Sequence, residues 1–207
     1  MTESAIEKGR LGMRWTQDDV IAAALETLEE EGLEGLSLRG VARALGAHLN
    51  SVSWYVKTKQ SLIDTMADAI IGTVRIDDLP AEPIERVRVV VGRYRAAMLN
   101  HRDGGRLVAG TFTGTGNTFR VAEVIVDALL KAGYSEQEAA RLCWALVYFT
   151  LGLTQEQQTS PPDADAAGVD FAEASYPALA RVGVQLLVHD SFDARFDYGL
   201  ARLLNVA

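Results

Sequence analysis

The sequence lacks the residues that several kinds of protein chemistry require. Its 207 residues include a single cysteine, Cys143, which cannot close an internal disulfide. The three histidines, His48, His101 and His189, lie far apart in the chain and show no metal-ligand spacing. No run of about eighteen apolar residues suggests a membrane span, and the stretch MTESAIEKGRLGMRW has no apolar core of the signal-peptide type. We therefore expect a cytoplasmic protein with no metal, no cofactor and no membrane partner.

Two short motifs that suggest catalysis are incomplete. The stretch GTGN, at 114–117, lacks the Gly-Lys-Ser/Thr ending of a phosphate-binding loop. Asp77 and Asp78 are adjacent carboxylates, but they fall in a predicted linker without a visible partner. We therefore predict that the protein is not an enzyme and has no catalytic residues.

Helical periodicity covers nearly the whole chain, so the predicted fold class is all-α. Apolar residues make up 48% of the sequence, which is enough for one large domain or two small ones. The stretch IDDLPAEP, at 76–83, contains two prolines and interrupts the pattern. We place the domain boundary there. Residues 1–75 are predicted to form a helix-turn-helix domain with a basic N-terminal arm and a bridging fourth helix, and residues 76–207 a helical bundle.

The predicted helices follow from capping residues and glycine or proline breaks. In the first domain they run from about 16 to 32, 37 to 45, 48 to 55 and 58 to 74. In the second they run from 84 to 101, between Gly104 and Gly110, and over 118–131, 135–158, 169–188 and 193–206. The β-branched residues at 87–91 would also suit a strand, but the length of the pattern favours a helix. The stretch TSPPDADAAG, at 159–168, is predicted to be an exposed loop.

The segment from Ser37 to Leu62 contains no acidic residue, although the formal charge of the chain is -8. A short helix, a turn at Gly46 and a second short helix are typical of a helix-turn-helix unit. In such a unit the second helix enters the DNA major groove with its first residues at the base edges. Those residues here are His48, Leu49, Asn50, Ser51 and Ser53. The flanking cations Arg39, Lys57 and Lys59 suit phosphate contacts, and Lys8, Arg10 and Arg14 give the N-terminal arm a second basic run.

Short helices around glycine turns also occur in helical proteins that bind no DNA. The pattern therefore leaves a second interpretation open, a helical small-molecule-binding protein without specific DNA binding. A gel shift separates the two, because a carrier protein gives no salt-sensitive specific shift.

The stretch GLSLRGVARALGAHLNSVSWYVKTKQSLIDTMADAI resembles the DNA-binding domain of the tetracycline-repressor (TetR) family. The matching positions are Ser37, Arg39, Val41, Ala42, Leu45, Gly46, Trp54, Tyr55, Lys57, Lys59, Leu62 and Ile63. Two later stretches, NHRDGGRLVAGT and LLKAGYSEQEAARLCWALVYFTLGLTQEQQ, resemble the C-terminal domain of the tetracycline-repressor subgroup. The resemblance implies a transcriptional regulator, commonly a repressor, with a ligand-binding and dimerisation domain at 76–207.

The resemblance also implies which residues touch a double-stranded DNA operator. They are Ser37, Arg39, Leu49, Asn50, Ser51, Ser53, Trp54, Tyr55 and Lys59. Two alternatives stay open, since Trp54 and Leu45 could instead pack in the core of the three-helix domain. Leu49 is apolar where the tetracycline repressor has a base-reading amide, so we expect a different operator.

The ligand side departs from the tetracycline repressors at one position. There a histidine follows RDG by a few residues and binds drug-chelated magnesium, whereas the matching residue here is Val108, which cannot ligate a metal. We expect a small, largely hydrophobic inducer other than tetracycline–magnesium. The candidate ligand residues are Tyr94, Leu107, Val108, Thr111, Leu142, Leu146 and Phe149. Core packing is the alternative for Leu107, Leu142, Leu146 and Phe149, and roles for Tyr148 and Glu156 stay open.

Two helical stretches carry more apolar residues than packing within the core of one chain requires. They are ALVYFTLGL, at 145–153, and YGLARLLNV, at 198–206. We predict that they form a four-helix interface in a homodimer. Such a dimer would hold two recognition helices one DNA turn, or roughly 34–36 Å, apart on a palindromic site.

Overall fold

The computed structural model describes residues 15–111, 114, 116–160, 172–173 and 175–205, and every regular element within these residues is an α-helix. The all-α prediction is therefore confirmed. In chain order the helices are α1 (Gln17–Gly35), α2 (Leu38–Ala44), α3 (Leu49–Tyr55), α4 (Lys59–Gly72), α5 (Pro83–Leu99), α6 (Gly104–Ala109), α7 (Gly116–Lys131), α8 (Glu136–Thr159), α9 (Pro177–Val182), α10 (Val184–Leu187) and α11 (Phe192–Leu203). None of these helices is long and apolar enough to cross a bilayer.

Helices α1–α4, which we call the head, begin where the capping residues predict. The Thr16 and Thr58 hydroxyls each accept a hydrogen bond from a backbone N–H three residues later, and both sites form reciprocal capping boxes. Ser37 caps α2 by accepting from the N–H of Gly40 at 3.1 Å. The buried side chains of the head converge in one core, which contains Val20, Ala24, Leu28, Val41, Val52, Leu62 and Met66.

Helices α5–α11, which we call the body, pack around α5. The stretch 87–91 is helical, as predicted, because Val87, Val90 and Val91 fall on one buried side of α5. Helix α5 packs against α6, α7 and α8, and α11 packs against α8. Helix α4 packs against α1 in the head and also contacts α5, α6 and α7 of the body. It therefore connects the two parts of the molecule.

Several predicted helix boundaries differ from the structure. The single helix predicted at 169–188 is wrong, because α9 and α10 are separate short helices on either side of Gly183, whose φ of 83° is not helical. The regular part of α1 ends at Gly32 as predicted, because the φ of 69° there is not helical, and a further helical turn beyond this kink reaches Gly35. Helix α7 begins at Gly116 instead of Thr118. The basic arm before residue 15 and most of the predicted loop at 159–168 lie outside the described residues.

Candidate nucleic-acid interface and ligand site

Helix α3 presents most of the predicted DNA-contacting side chains on its outer surface. It begins after His48 and is held to the head core by Val52, which is fully buried. Asn50 is exposed, and Ser51 and Ser53 are half-buried. Trp54 is 69% exposed, so its ring does not pack in the core. Leu45, in contrast, is partly buried and packs against the core. An exposed indole beside small polar groups fits a surface that meets another molecule.

The start of α2 lies beside this surface. The Ser37 hydroxyl is engaged as the helix cap, and Arg39 follows it with its side chain exposed. Arg43 is also exposed but pairs with Glu31 at 2.8 Å, so part of its charge is neutralised within the head. Arg39 is therefore the cation of α2 with no acidic partner among the described ion pairs.

Tyr55 and Lys59 make contacts that the sequence did not reveal. The Tyr55 hydroxyl donates to the carbonyl of Trp15, which fixes the end of α3 to the start of α1. The Lys59 ammonium donates to the carbonyls of Leu33 at 3.1 Å and Glu34 at 3.4 Å. Lys59 thus holds the end of α1, and its third N–H is left for another acceptor.

The predicted ligand residues lie inside the body. Tyr94, Leu107, Val108 and Leu146 are buried, and the Thr111 hydroxyl donates to the carbonyl of Val108 at 2.8 Å. Burial raises the pKa of Tyr94 above its ordinary value. Two surface clefts in the described part of the chain measure about 230 Å³ and 310 Å³, and of the predicted ligand residues only Leu142 lines either. Tyr94, Leu107, Val108 and Leu146 instead belong to the buried core.

Phe149 belongs to the contact between α8 and α11. Its ring stacks on Phe196 with the centroids 6.0 Å apart, and it lies where a side chain on Gly199 would be, 2.2 Å from an added Cβ. The buried guanidinium of Arg95 lies 4.8 Å from the Phe196 ring and donates to Asp193 at 2.7 Å and Gln157 at 2.5 Å. Sequence reasoning missed Arg95, because its partners are distant in the chain.

Comparison with known proteins explains the two-part architecture. A family model for the tetracyclin repressor-like C-terminal domain matches residues 79–205. The tetracycline repressor protein class E from Escherichia coli is 33% identical over 194 residues, covering 92% of this chain and 90% of the relative. A crystal structure of a possible TetR family transcriptional regulator from Streptomyces coelicolor A3(2) superposes with a TM-score of 0.80 and 31% identity, over 92% of this chain and 97% of that one. This chain belongs to the tetracycline-repressor family.

Membership of the TetR family makes the chain a ligand-responsive, DNA-binding transcriptional regulator. A variant of TetR from Acinetobacter baumannii AYE, solved in complex with minocycline, superposes with a TM-score of 0.71 and 28% identity, over 93% of this chain and 96% of that one. The buried apolar side chain of Val108 offers no ligand atom to a metal. In the described residues no three histidine, cysteine, aspartate or glutamate side chains cluster as metal ligands.

Tyr148 and Glu156 both lie on the outer surface of α8 in this TetR-family chain. Tyr148 is 63% exposed and stacks on Trp144 with the ring centroids 5.3 Å apart. On the neighbouring helix α11, Tyr198 is 66% exposed. Trp144, Tyr148 and Tyr198 thus expose three aromatic rings on two helices that pack against each other.

Proposed function

We propose that this TetR-family regulator is a homodimeric repressor in the cytoplasm, where it binds a palindromic operator and releases it when a small, largely apolar ligand enters the body. The observation that carries the DNA-binding part is the acid-free segment from Ser37 to Leu62, which contains α2 and α3, in a chain of formal charge -8. The negative net charge of the chain opposes nonspecific DNA binding, which favours binding through this segment.

The proposed DNA contacts divide into two kinds. Asn50, Ser51, Ser53, Trp54 and Leu49 would meet base edges, since they lie on or near the first turns of α3. Ser37, Arg39 and Lys59 would meet phosphates and set the register, and Tyr55 would do so by exchanging the Trp15 carbonyl for a phosphate oxygen. For Lys59 this requires the ammonium to keep or exchange its carbonyl partners at the end of α1.

The proposed dimer is supported by the exposed rings of Trp144, Tyr148 and Tyr198. A second copy presenting the same patch would cover all six rings around a two-fold axis, as isologous interfaces require. The buried side of α11, with Phe196 and Leu200, already packs within the chain. The outer sides of α8 and α11 are therefore the ones available to the partner.

The proposed inducer is uncharged and does not arrive as a metal chelate. The ligand residues assigned to the body, Tyr94, Leu107, Val108, Thr111, Leu142, Leu146 and Phe149, carry no charge, and burying an unpaired charge among them would be costly. Because Tyr94, Leu107, Val108 and Leu146 are buried without a ligand, we expect ligand binding to rearrange the body. The ligand favours that form only by its differential affinity for it.

The test begins with selection of a DNA duplex by the purified protein from a random pool. Specific binding of this duplex should weaken as salt rises. Because a dimer carries two copies of Arg39, Arg39→Ala should lower the slope of log affinity against log salt by about 1.8, roughly 0.9 for each head. Lys131→Ala is the matched control, since it removes the same charge at the end of α7 remote from the head. Failure to select any duplex would favour the small-molecule carrier instead.

A further inference from the structure

Polar contacts join the body to the head at the C-terminal ends of α1 and α4. At the first, Arg102 donates to the carbonyls of Glu29 at 3.1 Å and Glu30 at 2.9 Å, near the end of α1. Asp103 accepts from the N–H of Leu33 at 2.8 Å in the same contact. This contact ties the loop before α6 to α1.

The second contact joins the first turns of α7 to the end of α4. One Arg120 nitrogen donates to the carbonyls of Gly72 and Val74, both at 3.1 Å, and of Ile71 at 3.4 Å. The Asn117 amide donates to the carbonyl of Asp68 at 3.2 Å and to its carboxylate at 2.9 Å. We call Asn117 and Arg120 the α7 clamp.

The α7 clamp meets an electrostatic need of α4. The last carbonyls of a helix have no intrahelical partner and carry the negative end of its dipole. Helix α4 has no basic residue in its own last turn. Arg120 supplies the missing cation from another part of the chain. The carbonyl of Ile71 also accepts from the N–H of Val74, so Arg120 adds to a local cap and brings a positive charge to it.

The fit at the α7 clamp is close. A Cβ added to Gly72 would lie 3.1 Å from the Asn117 amide nitrogen, which is tighter than ordinary van der Waals contact. The two helices approach at this point because α4 carries a glycine there. A displacement of α7 would therefore change the hydrogen bonds that Asn117 and Arg120 make with the end of α4.

The position of the clamp in the chain connects it to the ligand site. Helix α7 begins at Gly116, a few residues after the candidate ligand residues Leu107, Val108 and Thr111. Helix α4 is packed into the core that supports α3 through Leu62 and Met66. The clamp thus lies between the segment that a ligand would displace and the helix that positions the DNA-reading surface.

We propose that Asn117 and Arg120 are positioning residues that transmit ligand occupancy of the body to the DNA-binding head. The proposal rests on the ligand-released DNA binding argued above. Coupling between two sites is reciprocal, so a clamp that carries a signal from body to head also carries one from head to body. DNA binding should then change the amide hydrogen exchange of α6 and α7, which permits a test without a known inducer.

The test compares amide hydrogen exchange with and without the duplex selected by the wild-type protein. In the wild type, DNA should slow exchange in α3 and also change it in α6 and α7. In Arg120→Ala combined with Asn117→Ala, the change in α3 should persist while that in α6 and α7 is lost. Arg120→Lys keeps a cation at the carbonyls of α4 and should restore part of the transmitted change.

Arg86→Ala is the matched control, because Arg86 also donates to a backbone carbonyl, but that of Pro80, which follows the head helices in the chain and belongs to none of them. It should leave the transmitted change intact. A change in α6 and α7 that survives loss of the clamp, or that is absent in the wild type bound to DNA, overturns the proposal while leaving DNA binding established. If no duplex is bound, the proposed function fails as well, so the two failures are distinguishable.

Discussion

The head and the body place their predicted functional residues in opposite environments. In the head, Asn50 and Trp54 project from a seven-residue helix into solvent. In the body, Tyr94, Leu107 and Leu146 come from three helices and are buried. A DNA-reading surface is convex, and the local helix decides which side chains face outward. A ligand site is concave, and its shape depends on how distant segments pack.

The largest expected effect tests whether the body residues are packing residues in the ligand-free protein. Leu107→Ala should lower the free energy of unfolding by about 2–5 kcal/mol, because it leaves a cavity in the body core. Leu49→Ala is the matched control in the head, where the side chain is 38% exposed. It should change stability by no more than about 0.5 kcal/mol. Urea denaturation measures both.

If Leu107→Ala and the wild type were equally stable, the predicted functional residues of the body would not differ from those of the head in their contribution to stability. Equal stability would mean that Leu107 borders open space before any ligand arrives. The packing shown by the structure would then not describe the ligand-free body in solution.

The features of the fold that depend on local sequence were predictable. Thr16, Ser37 and Thr58 mark helix starts through hydrogen bonds that span three residues, so the sequence contains all the information needed. The break at Gly183 was missed, because a glycine within a helical pattern can adopt either a helical φ or a positive φ, and the sequence does not indicate which. The extra turn of α1 beyond Gly32 was missed for a different reason, since Asp103, seventy residues away, bonds to Leu33 there.

The candidate sites divide in the same way. Exposure of the α3 residues follows from the helix-turn-helix pattern, and the departure at Val108 can be read from a single position. The partners of Lys59, Arg95 and Arg120 could not be predicted, because each arginine or lysine bonds to groups on helices distant in sequence. Long polar side chains reach about as far as helices are spaced, so sequence alone leaves several acceptors possible for each.

The next effect in size tests the reading of bases by α3. Asn50→Ala should reduce discrimination at one operator base pair by about 1–3 kcal/mol, since the amide can pair with a base edge in two places. Its side chain is exposed, so the free energy of unfolding should stay within about 0.5 kcal/mol of wild type. Binding measured on duplexes that vary one base pair at a time gives the profile.

Asn100→Ala makes the same side-chain deletion at the exposed end of α5 in the body and should leave the profile unchanged. A profile that is the same for Asn50→Ala and wild type would remove Asn50 from base reading. DNA binding by the head would then be explained without any base contact from Asn50.

The smallest effect separates the two roles of Ser37, which caps α2 and also lies at the proposed DNA surface. Ser37→Ala should lower stability by about 1 kcal/mol, because the N–H of Gly40 loses its acceptor. Ser37→Asp restores a capping oxygen and adds a negative charge where the helix dipole favours one, so stability should return to the wild-type level.

The negative charge of Ser37→Asp would also lie against phosphate in the complex, so this variant should bind the selected duplex more weakly than Ser37→Ala does. Denaturation and DNA titration on the two variants therefore give opposite rankings if Ser37 has both roles, whereas tighter or equal DNA binding by the aspartate variant would limit Ser37 to capping.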